Sequence, residues 1–126
     1  MDAAQALADL TEISSQIETA VLVDVGGAVL GSTLEDESRS QRLAEAALRL
    51  LEEAGRPERA PAQIEAATPA GSVFVVRDAE RTIAATTGPE PTVGLVFYDL
   101  KSCLHSVDEP KPKPKRSRKK ATDAEA

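Results

Sequence analysis

The chain has almost no aromatic side chains: no tryptophan, one tyrosine and two phenylalanines among 126 residues. The apolar residues are nearly all alanine, valine, leucine and isoleucine. A domain of ~100 residues buries only about 60–70% of its unfolded surface. A core without large rings would therefore gain from burying more surface in an oligomer, which is a hint of self-association.

The sequence also lacks the residues from which many chemical sites are built. Cys103 is the single cysteine and His105 the single histidine, which excludes an intramolecular disulfide framework and a cysteine-based zinc site. Two positions apart on a helix, these side chains point about 200° apart and cannot act together as a nucleophile and its base. We expect Cys103 to fill the core, His105 to lie in solvent, and the protein to have no metal site, no cofactor and no enzymatic activity.

Long apolar runs and a signal segment are absent as well. The longest apolar runs, such as residues 20–23 and 73–76, are far too short to cross a bilayer. The chain opens Met-Asp-Ala-Ala-Gln, without the basic and apolar regions of a cleavable signal. We therefore expect a soluble cytoplasmic protein.

Charge divides the chain into two parts. Residues 108–126 carry seven basic and four acidic side chains, net +3, whereas residues 1–107 carry 8 basic and 17 acidic ones, net -9. Prolines alternate with lysines in the basic part, and alanine is its one apolar type, so it cannot bury enough surface to offset its ordering entropy. We expect one domain, residues 1–107, and a disordered tail, residues 108–126. The basic residues of the tail are Lys111, Lys113, Lys115, Arg116, Arg118, Lys119 and Lys120.

The first quarter of the chain predicts a helix followed by a hairpin. Asp2 is placed to cap a helix that runs to about Glu18, since apolar residues recur at spacings of three and four. Residues 20–25 and 28–32 are rich in β-branched side chains and are separated by Gly26-Gly27. This pattern predicts two strands joined by a type I′ turn with positive φ at both glycines.

The middle of the chain predicts a second amphipathic helix. Ser38 and Gln41 have the spacing of a capping box, so the helix starts between Leu34 and Ser38. Gly55 and Pro57 supply its end. Its apolar stripe consists of Leu43, Ala46, Ala47, Leu50, Leu51 and Ala54.

Three strands and a last helix complete the domain. Residues 63–68, 72–78 and 81–87 read as strands joined by turns at 69–71 and 79–80. Thr92 is placed to cap the last helix. The apolar stripe of that helix consists of Val96, Leu100, Cys103, Leu104 and Val107.

Two clusters invite a chemical interpretation that we set aside. Gly26 and Gly31 have the separation of P-loop glycines, but Ser32 stands where a P-loop has its lysine. Three acidic residues, 35–37, then follow and would repel phosphate, so we interpret the segment as a plain hairpin. We interpret the same acids as favourable partners for the positive end of the second helix.

The order of helices and strands, with the stretches Ala20-Val-Leu-Val-Asp-Val-Gly-Gly-Ala-Val-Leu-Gly-Ser and Gly94-Leu-Val-Phe-Tyr-Asp-Leu, resembles the Roadblock (dynein light-chain) family. The resemblance covers residues 3–107. It implies an α+β fold, αββαβββα, with one five-stranded antiparallel sheet, the first and last helices on one face and the middle helix on the other. The chain departs from the family at Pro57 and Pro61, which cannot donate to a sheet ladder, so the start of the third strand is left open.

The resemblance also implies a homodimer in which the third strands pair edge to edge and the middle helices meet. Similar bacterial proteins commonly act beside small Ras-like GTPases as scaffolds or activators. The residues that this arrangement would place at the dimer or partner interface are Leu43, Ala47, Leu50, Ala54, Gln63, Glu65 and Ala67. For Ala47 and Ala54, packing in the chain's own core is the alternative.

Two other functions stay open at this point. The basic tail could bind nucleic acid or an anionic surface by counterion release, although it has no aromatic residue to stack on bases and the domain would repel a polyanion. A solubilising tether is the alternative for the tail and is slightly favoured. A small ligand-sensing domain of similar shape would need a pocket with polar anchors, and the aliphatic composition offers none.

Overall fold

The structure is a computed structural model that describes residues 2–54, 62–78 and 81–107. The predicted order of helices and strands is confirmed. The elements are α1 (Ala3–Ile13), β1 (Ile17–Val23), β2 (Val29–Ser32), α2 (Glu37–Ala54), β3 (Ala62–Thr68), β4 (Gly71–Asp78), β5 (Arg81–Thr87) and α3 (Val93–Ser106).

The five strands form one antiparallel sheet in the order β2-β1-β5-β4-β3. β1 and β5, which lie far apart in the chain, are neighbours near the centre of the sheet. β3 and β4 pair without interruption from Ala62 opposite Arg77 to Thr68 opposite Gly71. β2 and β3 are therefore the two edge strands of the described sheet.

Alternation along the strands divides the core into two layers. Phe74 and Val76 of β4 face one side, where they pack with buried residues of α1 and α3. Val75, between them, faces the other side and packs with Ala44 and Ala47 of α2. The sheet thus has two helices on one face and one on the other, as the resemblance implies.

The first helix is shorter than its apolar spacing predicts, and that prediction is wrong beyond Ile13. The Ser14 N–H donates to the Leu10 carbonyl and closes the last turn. Ile17 is buried as the first residue of β1, whereas Ile13 is 74% exposed. Both isoleucines have the spacing of a continuing helix. Ile17 nevertheless belongs to β1, whose residues Ala20–Val23 are buried in the sheet. At the other end, Asp2 caps α1 as predicted, since its carboxylate accepts from the Gln5 N–H at 2.8 Å.

The β1–β2 turn is not the predicted type I′ turn. Only Gly27 has a positive φ, of 91°. The Asp24 carboxylate accepts from the N–H groups of Gly26 and Ala28, both at 2.9 Å, and the Asp24 N–H donates to the Ala28 carbonyl. An aspartate that bonds its own following backbone therefore closes a longer loop.

The cap of α2 also differs from the prediction. Asp36, and not Ser38, caps the helix, because its carboxylate accepts from the Ser38 N–H at 2.9 Å while its carbonyl accepts from the Ser40 N–H. This agrees with the interpretation of the acidic run as a partner of the helix start. At α3, Thr92 occupies the cap position as predicted, but its side chain makes no capping hydrogen bond.

Candidate functional site

The free edge of β3 is the first part of the candidate site. β3 pairs with β4 on one side, and no described strand lies beyond it on the other. An edge strand presents a row of backbone N–H and C=O groups to whatever adds next to it. This edge can therefore accept a further strand.

The α2 face beside this edge supplies the second part. Pairing opposite Val75 and Val73 turns Ile64 and Ala66 of β3 to the α2 side of the sheet. Ile64 and Val73 are only partly buried there, as are Leu43 and Leu50 of α2, and all four pack against the core of this layer. We call Leu43, Leu50, Ile64, Ala66 and Val73 the apolar margin.

The interface residues named from the sequence fall into three groups. Leu43 and Leu50 lie in the apolar margin. Ala47 has no exposed surface, because the sheet of its own chain covers it, so it has none to give to a partner. The side chain of Ala54 lies outside the described part of the structure.

The three β3 residues named from the sequence are exposed but do not lie beside α2. Gln63, Glu65 and Ala67 stand opposite Val76, Phe74 and Ser72 and so share the α1–α3 face of the sheet. Sequence reasoning missed Ile64 and Ala66, which lie on the α2 face. The signal was present, since Ile64 is the one large apolar residue of β3 and period two places Ala66 with it.

Cys103 and His105 are separated as predicted. The Cys103 thiol is buried between α3 and α1 and donates to the Ala6 carbonyl at 3.5 Å. Burial, and secondarily the charge of Asp9, raise its pKa to about 11, so it is a poor nucleophile at neutral pH. His105 is exposed, but it contacts the carboxylate of Asp78 and is not surrounded by solvent alone.

Several sequence-based expectations fall on residues that the structure leaves undescribed. These are the helix stop at Gly55, the prolines Pro57 and Pro61, the 79–80 turn and the basic tail (108–126). Within residues 2–54, 62–78 and 81–107, no three His, Cys, Asp or Glu side chains converge as a metal site would require. No helix in the same ranges is long and apolar enough to span a bilayer.

Solved structures of other proteins have the same architecture. A Roadblock/LC7 domain from Streptomyces avermitilis has a TM-score of 0.65 at 20% sequence identity, covering 82% of this chain and 95% of its own. The chain has the Roadblock/LC7 fold. A further Roadblock/LC7 domain structure from this bacterium gives a TM-score of 0.69 at 17% identity, over 84% of this chain and 94% of its own.

Myxococcus xanthus MglB is also similar, with a TM-score of 0.52 at 16% identity, covering 82% of this chain and 85% of MglB. No family profile and no curated protein sequence matches the chain. At these identities the Roadblock/LC7 likeness is one of fold, and the fold expected from the sequence is confirmed by it.

Proposed function

We propose that this chain is a homodimeric, non-enzymatic scaffold or regulator that binds a small Ras-like GTPase. The observation that carries the proposal is the free edge of β3 bordered by the apolar margin. A second protein chain can add to a free strand edge and at the same time cover the half-exposed aliphatic side chains beside it.

A second copy fits this surface through a twofold axis. Antiparallel pairing of β3 with its symmetry mate would satisfy the free backbone groups and join the two sheets into one. The same rotation would bring the two α2 helices together over the sheet, covering Leu43, Leu50 and Ile64. Burying these side chains would offset the thinness of an aromatic-poor core.

The GTPase partner rests on the Roadblock resemblance of the sequence and on the fold that accompanies it. The non-enzymatic part rests on the chemistry of the described residues. The single thiol is buried with a raised pKa, and the single imidazole contacts Asp78 on the surface. Neither group is placed as an activated nucleophile or as its base.

The proposal is tested by mixing the chain with the small Ras-like GTPase encoded nearest to its gene. Sedimentation should give the mass of two copies of the chain alone, and titration should give saturable binding that differs between GDP and a non-hydrolysable GTP analogue. The rate of GTP hydrolysis, measured with and without the chain, then separates an activator from a scaffold. A monomer at tens of micromolar, or equal failure to bind both nucleotide states, would contradict the corresponding half of the proposal.

A further inference from the structure

A groove of about 240 Å³ runs between α1 and α3, on the opposite side of the sheet from the apolar margin. Its walls combine aliphatic surface with two carboxylates. The residues that line it are Ala6, Asp9, Leu10, Ile13, Asp99, Ser102, Cys103 and Ser106. The proposed dimer leaves this groove uncovered, since dimerisation uses β3 and the α2 face.

Asp99 is the unusual group in this groove. Only 9% of the residue is exposed, yet its carboxylate makes no hydrogen bond or ion pair with any other described residue. Its oxygens keep some contact with water at the groove, since Ser14 Oγ is the one fully enclosed side-chain polar atom without a partner among the described residues. The groove is therefore lined by a carboxylate that has little exposed surface and no donor or cation as a partner in the described part of the chain, and such a partner would stabilise it.

Asp9 adds a second negative charge to the same groove. Its only described hydrogen bond is from the neutral side-chain amide of Gln5, at 3.0 Å. Its charge also reaches across the groove, because it contributes to the raised pKa of the Cys103 thiol. The two carboxylates have no cationic side chain among the residues that line the groove.

The apolar part of the groove suits the stem of a long cationic side chain. Ile13 is 74% exposed at one end and Leu10 forms part of the wall. The methylene groups of lysine, and proline rings, pack on such aliphatic surface while the ammonium group remains at the polar rim.

We propose that this groove is the docking site for the chain's own basic segment, residues 108–120, with lysine ammonium groups paired to Asp99 and Asp9. The segment has the charge that the groove lacks. Lysine alternates with proline at 111–115 and then continues into a denser basic run. Proline limits the conformations of this stretch, which reduces the entropy lost when it docks.

The position at which the chain leaves α3 makes this docking geometrically simple. α1 and α3 are antiparallel: Cys103 contacts the Ala6 carbonyl, and the Thr92 N–H donates to the Gln16 side chain at 2.6 Å. The groove thus leads from Ser106 back toward Asp99. The Val107 carbonyl accepts from the Arg81 guanidinium at 3.0 Å, which fixes the departure point at the near end of the groove.

Only a few residues after Val107 are needed to bring a lysine back to Asp99. Asp99 lies seven residues before Ser106, which is about 10 Å along a helix at ~1.5 Å per residue. An extended chain spans about 3.3 Å per residue, so a segment that turns back after Val107 brings Lys111 or Lys113 to Asp99 within its reach.

Carbodiimide crosslinking of the full chain tests the proposal, because it joins a carboxylate to an amine only where the two are in contact. Mass spectrometry should find peptides that link Lys111, Lys113 or Lys115 to Asp99 or Asp9. Their yield should fall several-fold in high salt, which screens such pairs. A mixture of light and heavy isotope-labelled chains should give links within one chain.

Matched variants separate docking from non-specific attraction. Asp99→Asn keeps the shape of the side chain and should remove the links to position 99, whereas Glu12→Gln, an exposed change elsewhere on α1, should leave them unchanged. Trypsin should cleave after Lys115 about threefold to tenfold faster in the double variant Asp9→Asn/Asp99→Asn, as the loss of one or two partly screened ion pairs would give. Thermal unfolding of each variant confirms that the domain is intact.

Three results would overturn the proposal: equal cleavage of wild type and double variant, links to Glu12 as frequent as those to Asp99, or links only between chains. The last result would assign the groove to the segment of another copy. All of these measurements are independent of GTPase binding.

Discussion

At the scale of single residues, Cys103 shows how burial determines chemistry. Its thiol lies between α1 and α3 with a pKa of about 11. We expect iodoacetamide to leave the folded chain unmodified at pH 8 and to react readily once the chain is unfolded in urea. Equal alkylation rates in the two states, measured by mass spectrometry, would contradict this prediction.

The same thiol makes stability depend on pH in a defined window. The ordinary pKa of 9.0 is raised in the folded state, so the unfolded chain loses this proton first as the pH rises. The contribution to stability is complete below about pH 9 and is lost as the pH approaches about 11. Urea unfolding of wild type and Cys103→Ala at several pH values measures it, since the variant should lack this component of the decline.

Gly71 occupies a backbone position that a side chain cannot share. Its φ is +154°, and a Cβ there would stand 2.1 Å from the Thr87 carbonyl oxygen. Gly71→Ala should therefore lower the free energy of unfolding by about 2–4 kcal/mol, because backbone strain adds to a clash with a neighbouring strand.

Gly94 provides the matched control for this substitution. It lies in the first turn of α3, where an added Cβ meets nothing within 4 Å. Gly94→Ala should be neutral or stabilising by up to about 1 kcal/mol, because alanine favours helix. Chemical denaturation of both variants gives the comparison, and equal effects would refute the explanation for Gly71.

At the scale of elements, the start of α2 depends on one acidic side chain. Asp36 accepts from the Ser38 N–H, whereas the capping box expected between Ser38 and Gln41 is not formed. Asp36→Ala should cost about 1 kcal/mol of stability, while Ser38→Ala should change it by less than about 0.5 kcal/mol. Urea unfolding measures both changes in stability. A larger loss for Ser38→Ala than for Asp36→Ala would contradict this assignment and favour the capping box predicted from the sequence.

The element boundaries show where local patterns suffice and where they do not. β3, β4 and β5 begin within one residue of their predicted positions, because turns or breaks in pattern bound each run. The predicted end of α1 is wrong because the spacing of Ile13 and Ile17 is compatible both with a continuing helix and with a strand that begins at Ile17. Pairing of β1 with β5 decides the choice, since Ile17 lies opposite Thr87 in a strand far along the chain, and no local sequence window contains both.

At the scale of the whole molecule, dimerisation through β3 makes a specific prediction. Ala67 is exposed on the edge strand, and a lysine there would put a charge on the pairing edge of both copies, which disfavours edge-to-edge pairing. Ala67→Lys should raise the dimer dissociation constant at least about tenfold while the monomer stays folded. Sedimentation velocity across a concentration series measures this shift.

Ala4→Lys is the control for that experiment. Ala4 is also exposed but lies on α1, on the far side of the sheet from α2. It should leave the dissociation constant unchanged. If both substitutions weaken association alike, net charge and not the β3 edge governs it.

The sequence by itself determined the order of elements, the buried stripe of α3 and the inert character of Cys103, because each follows from local periodicity or composition. The stripe predicted for α2 was only partly right, since Ala46 is exposed and Leu43 and Leu50 are half-buried. Only the tertiary structure decided which β3 side chains lie beside α2, that Ala47 is already covered, and that Asp99 stands nearly buried in a groove without a partner. These facts depend on the register of β3 against β4 and on the packing of α1 against α3, the first and last helices of the domain. Contacts of this kind are fixed by packing across long sequence separations, which local patterns do not encode.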